Sequence, residues 1–490
     1  MPCRSDEGKL DRYALREIEI DRPQLFVDDY LIENRFDEDK LSSTVPHVLH
    51  VAEHPEEPVL VPDRPWEEES GIGHPSALYD PEDDMVRMYY TVHQREMKGL
   101  NGYPPGSYFL CYAESDDGVS WRKPNLGKFS WGGEEDTNII MEGEREAKIA
   151  HVHTNGNLQG LRMRNLGQLP HRFLEGNRFL MYYCDSAHYL ATSQDGIEWR
   201  ERVHEVISNR IDCYITIVHD DQRGEFVSFL RNRLIFSGKE SEDYFGNTRM
   251  ICRLSSRELW SRWDTMPSSV LIPDEDDSER FYGMPAFRYG GVYHGFLQHF
   301  YENPQKIEVE LVFSRDGFNW TRLPGHPKLI SVGEEGEWDS GMVATGDKVI
   351  EKGDEWWLYY SGYSGYHDET DRQSCIGLLR FRKEGFVSIH AGDRTSYLLT
   401  KPIRWPGGGL EVNAKADGGY VRFRVTDQRR RTIEGFGYED CSEFTGDEVR
   451  HAVEWDSAEM ADLAGKIIRL EFKFRNADIY SFVPSSGDPT

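Results

Sequence analysis

The chain has 490 residues and a formal net charge of −29, with 38% hydrophobic and 12% aromatic residues. That apolar content builds a real core and excludes a disordered chain. So acidic a surface disfavours general binding to nucleic acid or to an anionic membrane, and no apolar run nears the roughly 20 residues that span a bilayer.

The opening segment, residues 1–23, is polar and has no apolar core of the secretory kind. A cytoplasmic protein is expected from the chain as it stands, or a secreted or periplasmic one if a leader was removed. The seven cysteines, Cys3, Cys111, Cys184, Cys213, Cys252, Cys375 and Cys441, are scattered and form no CxxC pair. Free thiols are expected rather than a disulfide framework.

In chain order, the first predicted strand is Gln24–Ile32, in an N-terminal extension taken as residues 1–69, where it is positioned to close a ring by joining the last unit. A recurring phrase follows. Ser115-Asp116-Asp117-Gly118-Val119-Ser120-Trp121 returns as Ser193-Gln194-Asp195-Gly196-Ile197-Glu198-Trp199 and as Ser314-Arg315-Asp316-Gly317-Phe318-Asn319-Trp320. Each copy follows an alternating apolar run, so each reads as a hairpin. Gly takes a positive φ in the turn, the Ser and Asp oxygens bond the loop backbone, and Trp starts the returning strand. Two degraded copies end at Trp263 and Phe386. The anchors Trp121, Trp199, Trp263, Trp320 and Phe386 stand roughly 57 to 78 residues apart, a period with room for several strands per unit. Each unit also holds an aromatic strand: Val86–Tyr90, Phe179–Tyr183, Phe226–Leu230, Val292–Phe296 and Trp356–Tyr360. Five such strands imply five blades over residues 70–392. Residues 393–490 lose the phrase and read as a separate β-sandwich, with one short helix at Ser457–Leu463. The expected fold class is all-β: a five-bladed β-propeller followed by a C-terminal β-sandwich.

With those hairpins and that tail, the chain resembles the five-bladed β-propeller glycosidases, nearest in pattern to glycoside hydrolase families 32 and 43. The resemblance covers roughly residues 24–485. It implies a carbohydrate substrate and a site in the axial funnel, formed by acids on the innermost strands of several blades. The first blade carries His74-Pro75 where the family has Asp-Pro, so His74 becomes a candidate acid, with Glu67, Glu68 and Glu69 upstream as replacement carboxylates or as a solvated loop. Arg210-Ile211-Asp212 resembles the Arg-Asp motif of family 32, where the Asp steadies the sugar in the transition state. A structural Arg–Asp pair is the alternative. The family's Glu two residues before a Pro falls here on Gly283, which leaves Glu279 as the nearby acid. Glu337-Trp338-Asp339 suits a sugar site, because Trp can stack on a sugar face and the acids can bond hydroxyls. Alternation would put Glu337 and Asp339 on one side of a strand.

The catalytic candidates are therefore Asp212, Asp339, Glu337, Glu279 and His74. The substrate-binding candidates are Arg210, Trp338, Tyr282, His299, His367 and His153. His151 and His153 alternate onto one face, but no third metal ligand accompanies them, so no metal site is assigned. No cofactor is expected, apart from a structural calcium ion that such a funnel could hold. The expected activity is release of sugar units from an oligo- or polysaccharide by carboxylate acid/base catalysis. A non-catalytic carbohydrate-binding propeller and a propeller phosphorylase are the alternatives. The phosphorylase would need a cationic pocket, for which Arg210 and Arg231 are the suggestive residues. Oligomeric state is not readable from the sequence.

Overall fold

A computed structural model describes residues 18–68, 71–93, 108–143, 149–154, 177–185, 187–203, 216–234, 248–263, 266–274, 280–369 and 371–485. The chain divides into two units: Val51–Phe381, and a second made of the residues up to His50 together with those from Arg382 onward. Among the described residues, nearly all the regular elements of both are strands.

Among the described residues, the strands of Val51–Phe381 fall into five successive antiparallel groups, the last two joined in one sheet. The first is Ile72–Asp80, Met85–His93, Tyr108–Ser115 and Ile139–Gly143, and the second is Ile149–Thr154, Phe179–Asp185, Ala187–Ser193 and Arg200–Val203. The third is Thr216–Asp220, Glu225–Leu234, Thr248–Ser256 and Ser268–Leu271. In the fourth, Arg280–Gly283 and Ala286–Tyr289 share the neighbour Val292–Phe300, which pairs on its other side with Ile307–Ser314. The fifth, Met342–Lys352, Glu355–Tyr363 and Ser374–Arg382, joins the fourth through one parallel pair, Ile307 with Met342. Its outer strand gains a partner from far upstream: Leu60 bridges Ile376.

The repeated phrase acts through its side-chain oxygens. Ser115 Oγ accepts from the Gly118 N–H at 2.8 Å, and Asp117 Oδ1 accepts from the N–H groups of Val119 and Ser120. Ser193 with Asp195, and Ser314 with Asp316, repeat the pattern. The turn glycines hold φ of +74° at Gly118, +80° at Gly196 and +73° at Gly317, where a side chain is strained. Each tryptophan then packs on the preceding group's second strand. Trp199 meets Tyr89 at 5.9 Å between ring centroids, Trp320 meets Phe229 at 5.1 Å, and Trp121 meets Tyr359 of the fifth group at 5.6 Å. Trp263 is buried in a cluster with Leu180 and Tyr182 of the second group. Trp121, Trp199 and Trp320 are only partly buried. The fourth and fifth groups also meet through Phe287 and Trp356, 5.8 Å apart.

Among the described residues, the other unit has two six-stranded sheets. One runs Ile18–Glu19, Ile403–Arg404, Ile467–Arg475, Ser396–Thr400 and Ile32–Asp37, with Tyr420–Thr426 also on Ile467–Arg475. The other runs Asp447–Val453, Gly409–Lys415, Ala477–Ser485, Val387–Ala391 and His47–Leu49, with Gln24–Leu25 also on Ala477–Ser485. They share a core that includes Phe26, Leu398, Trp405, Val412, Phe472 and Phe482. Three sequence expectations change here. The 24–32 segment does not join the last strand group: Gln24 and Leu25 pair with Phe482 and Ser481, and Ile32–Asp37 pairs with Ser396–Thr400. The reason is burial, since Phe26 lies 5.7 Å from both Phe472 and Phe482 and is fully enclosed. Phe386 belongs to this unit rather than to a fifth hairpin phrase, for its carbonyl accepts from the His50 N–H. The short helix is a single 3-10 turn, Met460–Leu463.

Candidate functional site

The first strands of the first, fourth and fifth groups begin close together. His74, in the first, has a left-handed backbone with φ of +50°, at a register shift between Gly73 and Ser76. A non-glycine residue holds that conformation inside a strand only when its surroundings enforce it. The enforcing contact is visible: the His74 N–H donates to Ser361 Oγ of the fifth group at 2.8 Å. Gly73 lets a neighbour approach, since a Cβ there would lie 2.9 Å from the Tyr363 hydroxyl. Tyr363 and Tyr282 both rest on a small apolar cluster of Phe300, Ile307 and Met342.

Tyr282 is the centre of the next layer. Its hydroxyl and His367 Nε2 are 2.9 Å apart. Its ring lies 4.8 Å from the Arg231 guanidinium and 5.5 Å from that of Arg249, within cation–π range. Arg231 is itself buried and donates to the Tyr282 carbonyl at 3.0 Å. Arg372 donates to the carbonyls of Tyr366, His367 and Glu369, and its guanidinium lies 5.6 Å from the Tyr363 ring. These strand ends thus gather two tyrosines, three arginines and two histidines. Tyrosine faces with cationic donors can hold a polar ring or an anion. Of this group, His74, Tyr282 and His367 are site candidates in the sequence and Arg231 is one of its suggestive arginines; Tyr363, Arg249 and Arg372 carry no motif that marks them.

Glu337, Trp338 and Asp339 form a second cluster, in the loop before Met342. Asp339 is fully buried. His54 Nε2 lies 2.8 and 3.1 Å from its two oxygens, and the Tyr360 hydroxyl donates to it at 2.7 Å. Burial, then the Asp339 charge, pushes the Tyr360 hydroxyl well above its ordinary value. Trp338 lies 5.4 Å from the Tyr360 ring, and its indole N–H points to the Pro55 carbonyl at 3.4 Å. Glu337 is part exposed and its Oε2 accepts from the Glu334 N–H at 2.6 Å. Trp338 is therefore engaged with protein on its ring and its N–H, and the Asp339 carboxylate is enclosed. In the sequence His54 lies in the N-terminal extension, 285 positions from Asp339, and carries no motif that marks it.

His299, a substrate-binding candidate in the sequence, lies inside the fourth group. All nine residues of Val292–Phe300 are buried, and His299 Nε2 lies 2.8 Å from Glu310 Oε2. Burial alone would raise the Glu310 carboxyl, but hydrogen bonds from Arg322 and His299 outweigh it and hold it low. That is an internal ion pair with no surface left for a sugar. Glu67 likewise is no replacement carboxylate. It is buried, 2.5 Å from Lys123 Nζ, and accepts from the Tyr90 hydroxyl at 2.6 Å. Glu68 is exposed on the same short helix, Pro65–Glu68. Arg210, Asp212, Glu279 and Glu69 lie outside the described residues. The backbone of His153 pairs with Leu180, and its side chain lies outside the description.

No family model and no curated protein matches the chain. Solved structures do. A thermostable family-43 glycoside hydrolase aligns at TM-score 0.43 and 14% identity, over 66% of this chain and 94% of that one. A glycosyl hydrolase from Bacteroides ovatus aligns at TM-score 0.44 and 11% identity, over 70% and 96%. A third, at TM-score 0.42 and 12% identity over 73% and 96%, comes from the GH130 family of mannoside phosphorylases, said to contain glycoside hydrolases that target beta-1,2 mannosidic linkages in Candida mannan. These structural neighbours are glycoside hydrolases by name.

Proposed function

We propose that the chain is a glycoside hydrolase whose five strand groups are the blades of a β-propeller, accompanied by a β-sandwich, and that it releases sugar units at the end of the propeller where the first strands begin. The observation that carries the reading is His74: a strained histidine, fixed by Ser361, at the strand ends where Tyr282 and His367 are paired. Backbone strain of this kind costs about 1–3 kcal/mol and clusters at functional sites.

Hydrolysis needs a proton for the leaving oxygen and a negative charge for an oxocarbenium-like centre. Asp339 is enclosed, so the charge falls to Asp212, four residues before Thr216 on the first strand of the third group, or to Glu279, next to Arg280 on that of the fourth. Tyr363 would offer a ring face to the sugar, while the Tyr282 ring is taken up by Phe300, Arg231 and Arg249. The test is a screen of aryl furanosides, aryl pyranosides and natural oligosaccharides, followed by Asp212→Asn and Glu279→Gln on whatever is cleaved. Loss of an essential carboxylate costs several kcal/mol of barrier, and each 1.36 kcal/mol is about tenfold in rate. Both variants turning over at wild-type rate would remove the carboxylate mechanism.

A second reading is favoured by Arg231 and Arg249 stacked on one tyrosine. Two guanidinium groups there suit inorganic phosphate as the attacking group, which makes the enzyme a phosphorylase. Turnover that requires phosphate and yields a sugar phosphate would select this reading over hydrolysis. Among the described residues no helix is long and apolar enough to cross a membrane.

A further inference from the structure

Two segments of Val51–Phe381 that are far apart in sequence meet at three side chains. His54 stands 285 positions before Asp339, yet its Nε2 lies 2.8 Å from that carboxylate, and its Nδ1 lies 3.9 Å from Glu337 Oε2. One donor atom from each of His54, Glu337 and Asp339 lies within 4.8 Å of the other two. We propose that these three residues bind a divalent transition-metal ion of the zinc or manganese class, which fastens the segment around His54 to the loop that precedes Met342.

The spacing is close to what an ion demands. Ligands bonded at about 2.0–2.2 Å to one tetrahedral ion stand roughly 3–4 Å apart, so modest side-chain rotations would bring all three donors onto it. The donor set, one imidazole nitrogen and two carboxylates, suits a borderline ion; calcium and magnesium prefer oxygen alone.

The local backbone is shaped to let the acids converge. A Cβ on Gly333 would overlap both Asp339 Oδ1 and Glu337 Oε2, so only glycine permits the two carboxylates to approach that point. Two carboxylates drawn together repel, and one of them is buried. A divalent ion compensates both charges at once. Each acid is also oriented from outside: Tyr360 donates to Asp339 at 2.7 Å and the Glu334 N–H to Glu337 at 2.6 Å. Such outer hydrogen bonds fix the direction of metal-binding carboxylates. His54 and Glu337 keep 35% and 41% of their side chains exposed, which leaves an entry path and room for water as a further ligand.

The site would serve as a staple. Six residues past His54, Leu60 pairs with Ile376 and completes the edge of the fifth strand group. An ion at His54 fixes that incoming segment and closes a very long loop of chain, where a cross-link removes the most conformational entropy from the unfolded state.

The experiment uses the full chain stripped of metal with a chelator. Calorimetric titration with zinc, manganese and calcium, and cobalt followed by its visible bands, should show one saturable site for the transition ions and a rise in melting temperature on loading. Glu337→Gln and His54→Gln should each weaken zinc binding at least tenfold and reduce the cobalt bands. Both side chains are part exposed, so the variants should fold; Asp339→Asn is a poor first choice because it disturbs a buried hydrogen-bonded carboxylate. Absence of a saturable site, affinity unchanged in both variants, or preference for calcium over zinc would each overturn the proposal.

Discussion

The Asp-Gly turn is a joint between neighbouring strand groups as well as a hairpin, and Gly118→Ala tests this. At Gly118, φ is +74°, and a Cβ would overlap the Trp357 ring and lie 2.8 Å from the Tyr359 hydroxyl. That hydroxyl donates to the Gly118 carbonyl at 2.7 Å. Three costs add. The left-handed backbone costs a side chain about 1–2 kcal/mol, the overlap about 1–3 kcal/mol, and a weakened hydrogen bond about 1 kcal/mol. Gly127 is the control: its φ is +62°, and nothing lies within 4 Å of its missing Cβ, so Gly127→Ala meets the backbone cost alone. Gly118→Ala should therefore be less stable than Gly127→Ala by about 2–4 kcal/mol. At about 2 °C per kcal/mol for a unit of this size, that is a gap of roughly 4–8 °C in melting temperature. Circular dichroism melts at one scan rate would read it. Gly196→Ala, where Tyr89 donates to the turn carbonyl at 2.9 Å, should behave like Gly118→Ala. Equal melting temperatures for all three variants would show that the turn does not carry the contact between groups.

Lys123→Met should destabilise by about 3–5 kcal/mol in urea unfolding, because it leaves the enclosed Glu67 carboxylate without its cation; a loss under about 1 kcal/mol would contradict this. In the other unit, the hydrogen bond to Asp478 raises the His390 imidazole. Burial would raise the Asp478 carboxyl, but its bonds to His390 and Ser388 hold it low. The His390 share of stability is complete below the pH where an unfolded histidine titrates and is lost as pH rises through its raised value. The Asp478 share is present above the ordinary carboxylate range and is lost as pH falls through its depressed value. Asp478→Asn should flatten both limbs of the stability–pH curve, and an unchanged curve would disprove the pairing.

The repeat was legible because it rests on local chemistry. Ser, Asp and Gly at fixed spacing make the same three backbone bonds wherever they occur, and the aromatic strands that the sequence marks are inner strands of the five groups, paired on both sides. The role of Gln24–Ile32 was not legible. An apolar run announces a strand but does not name its partner, and Phe26 found its partners more than 440 positions away. His299 and Glu67 failed for a related reason. Each looks polar and available in the sequence, yet each is neutralised by one residue from a different strand or loop, Glu310 and Lys123. The pairing of Tyr282 with His367 joins residues 85 apart, both of them substrate-binding candidates in the sequence.

Asp339 decides how the chemistry must be divided. Under the proposed hydrolase reading, a carboxylate enclosed by His54 and Tyr360 serves neither as the charge nor as the proton donor, so the donor comes from another group. The described strand ends are rich in guanidinium: Arg231 and Arg249 on Tyr282, and Arg372 beside Tyr363. Cations hold a nearby carboxylate ionised, which suits a base or nucleophile and not an acid. An acid at these ends is better supplied by an imidazole, whose ordinary value lies near 6.5. His74 is the imidazole our proposal assigns to that role, at a backbone locked by Ser361. If it protonates the leaving oxygen, His74→Gln should slow natural glycosides by roughly 10²–10⁴-fold, the usual worth of a general acid. Nitrophenyl glycosides, whose leaving group needs little protonation, should slow far less. The fall of kcat/KM as pH rises through the acid's titration should also vanish in the variant. An equal loss on both substrate classes, with the alkaline limb intact, would mean that His74 only shapes the strand and that another group donates the proton.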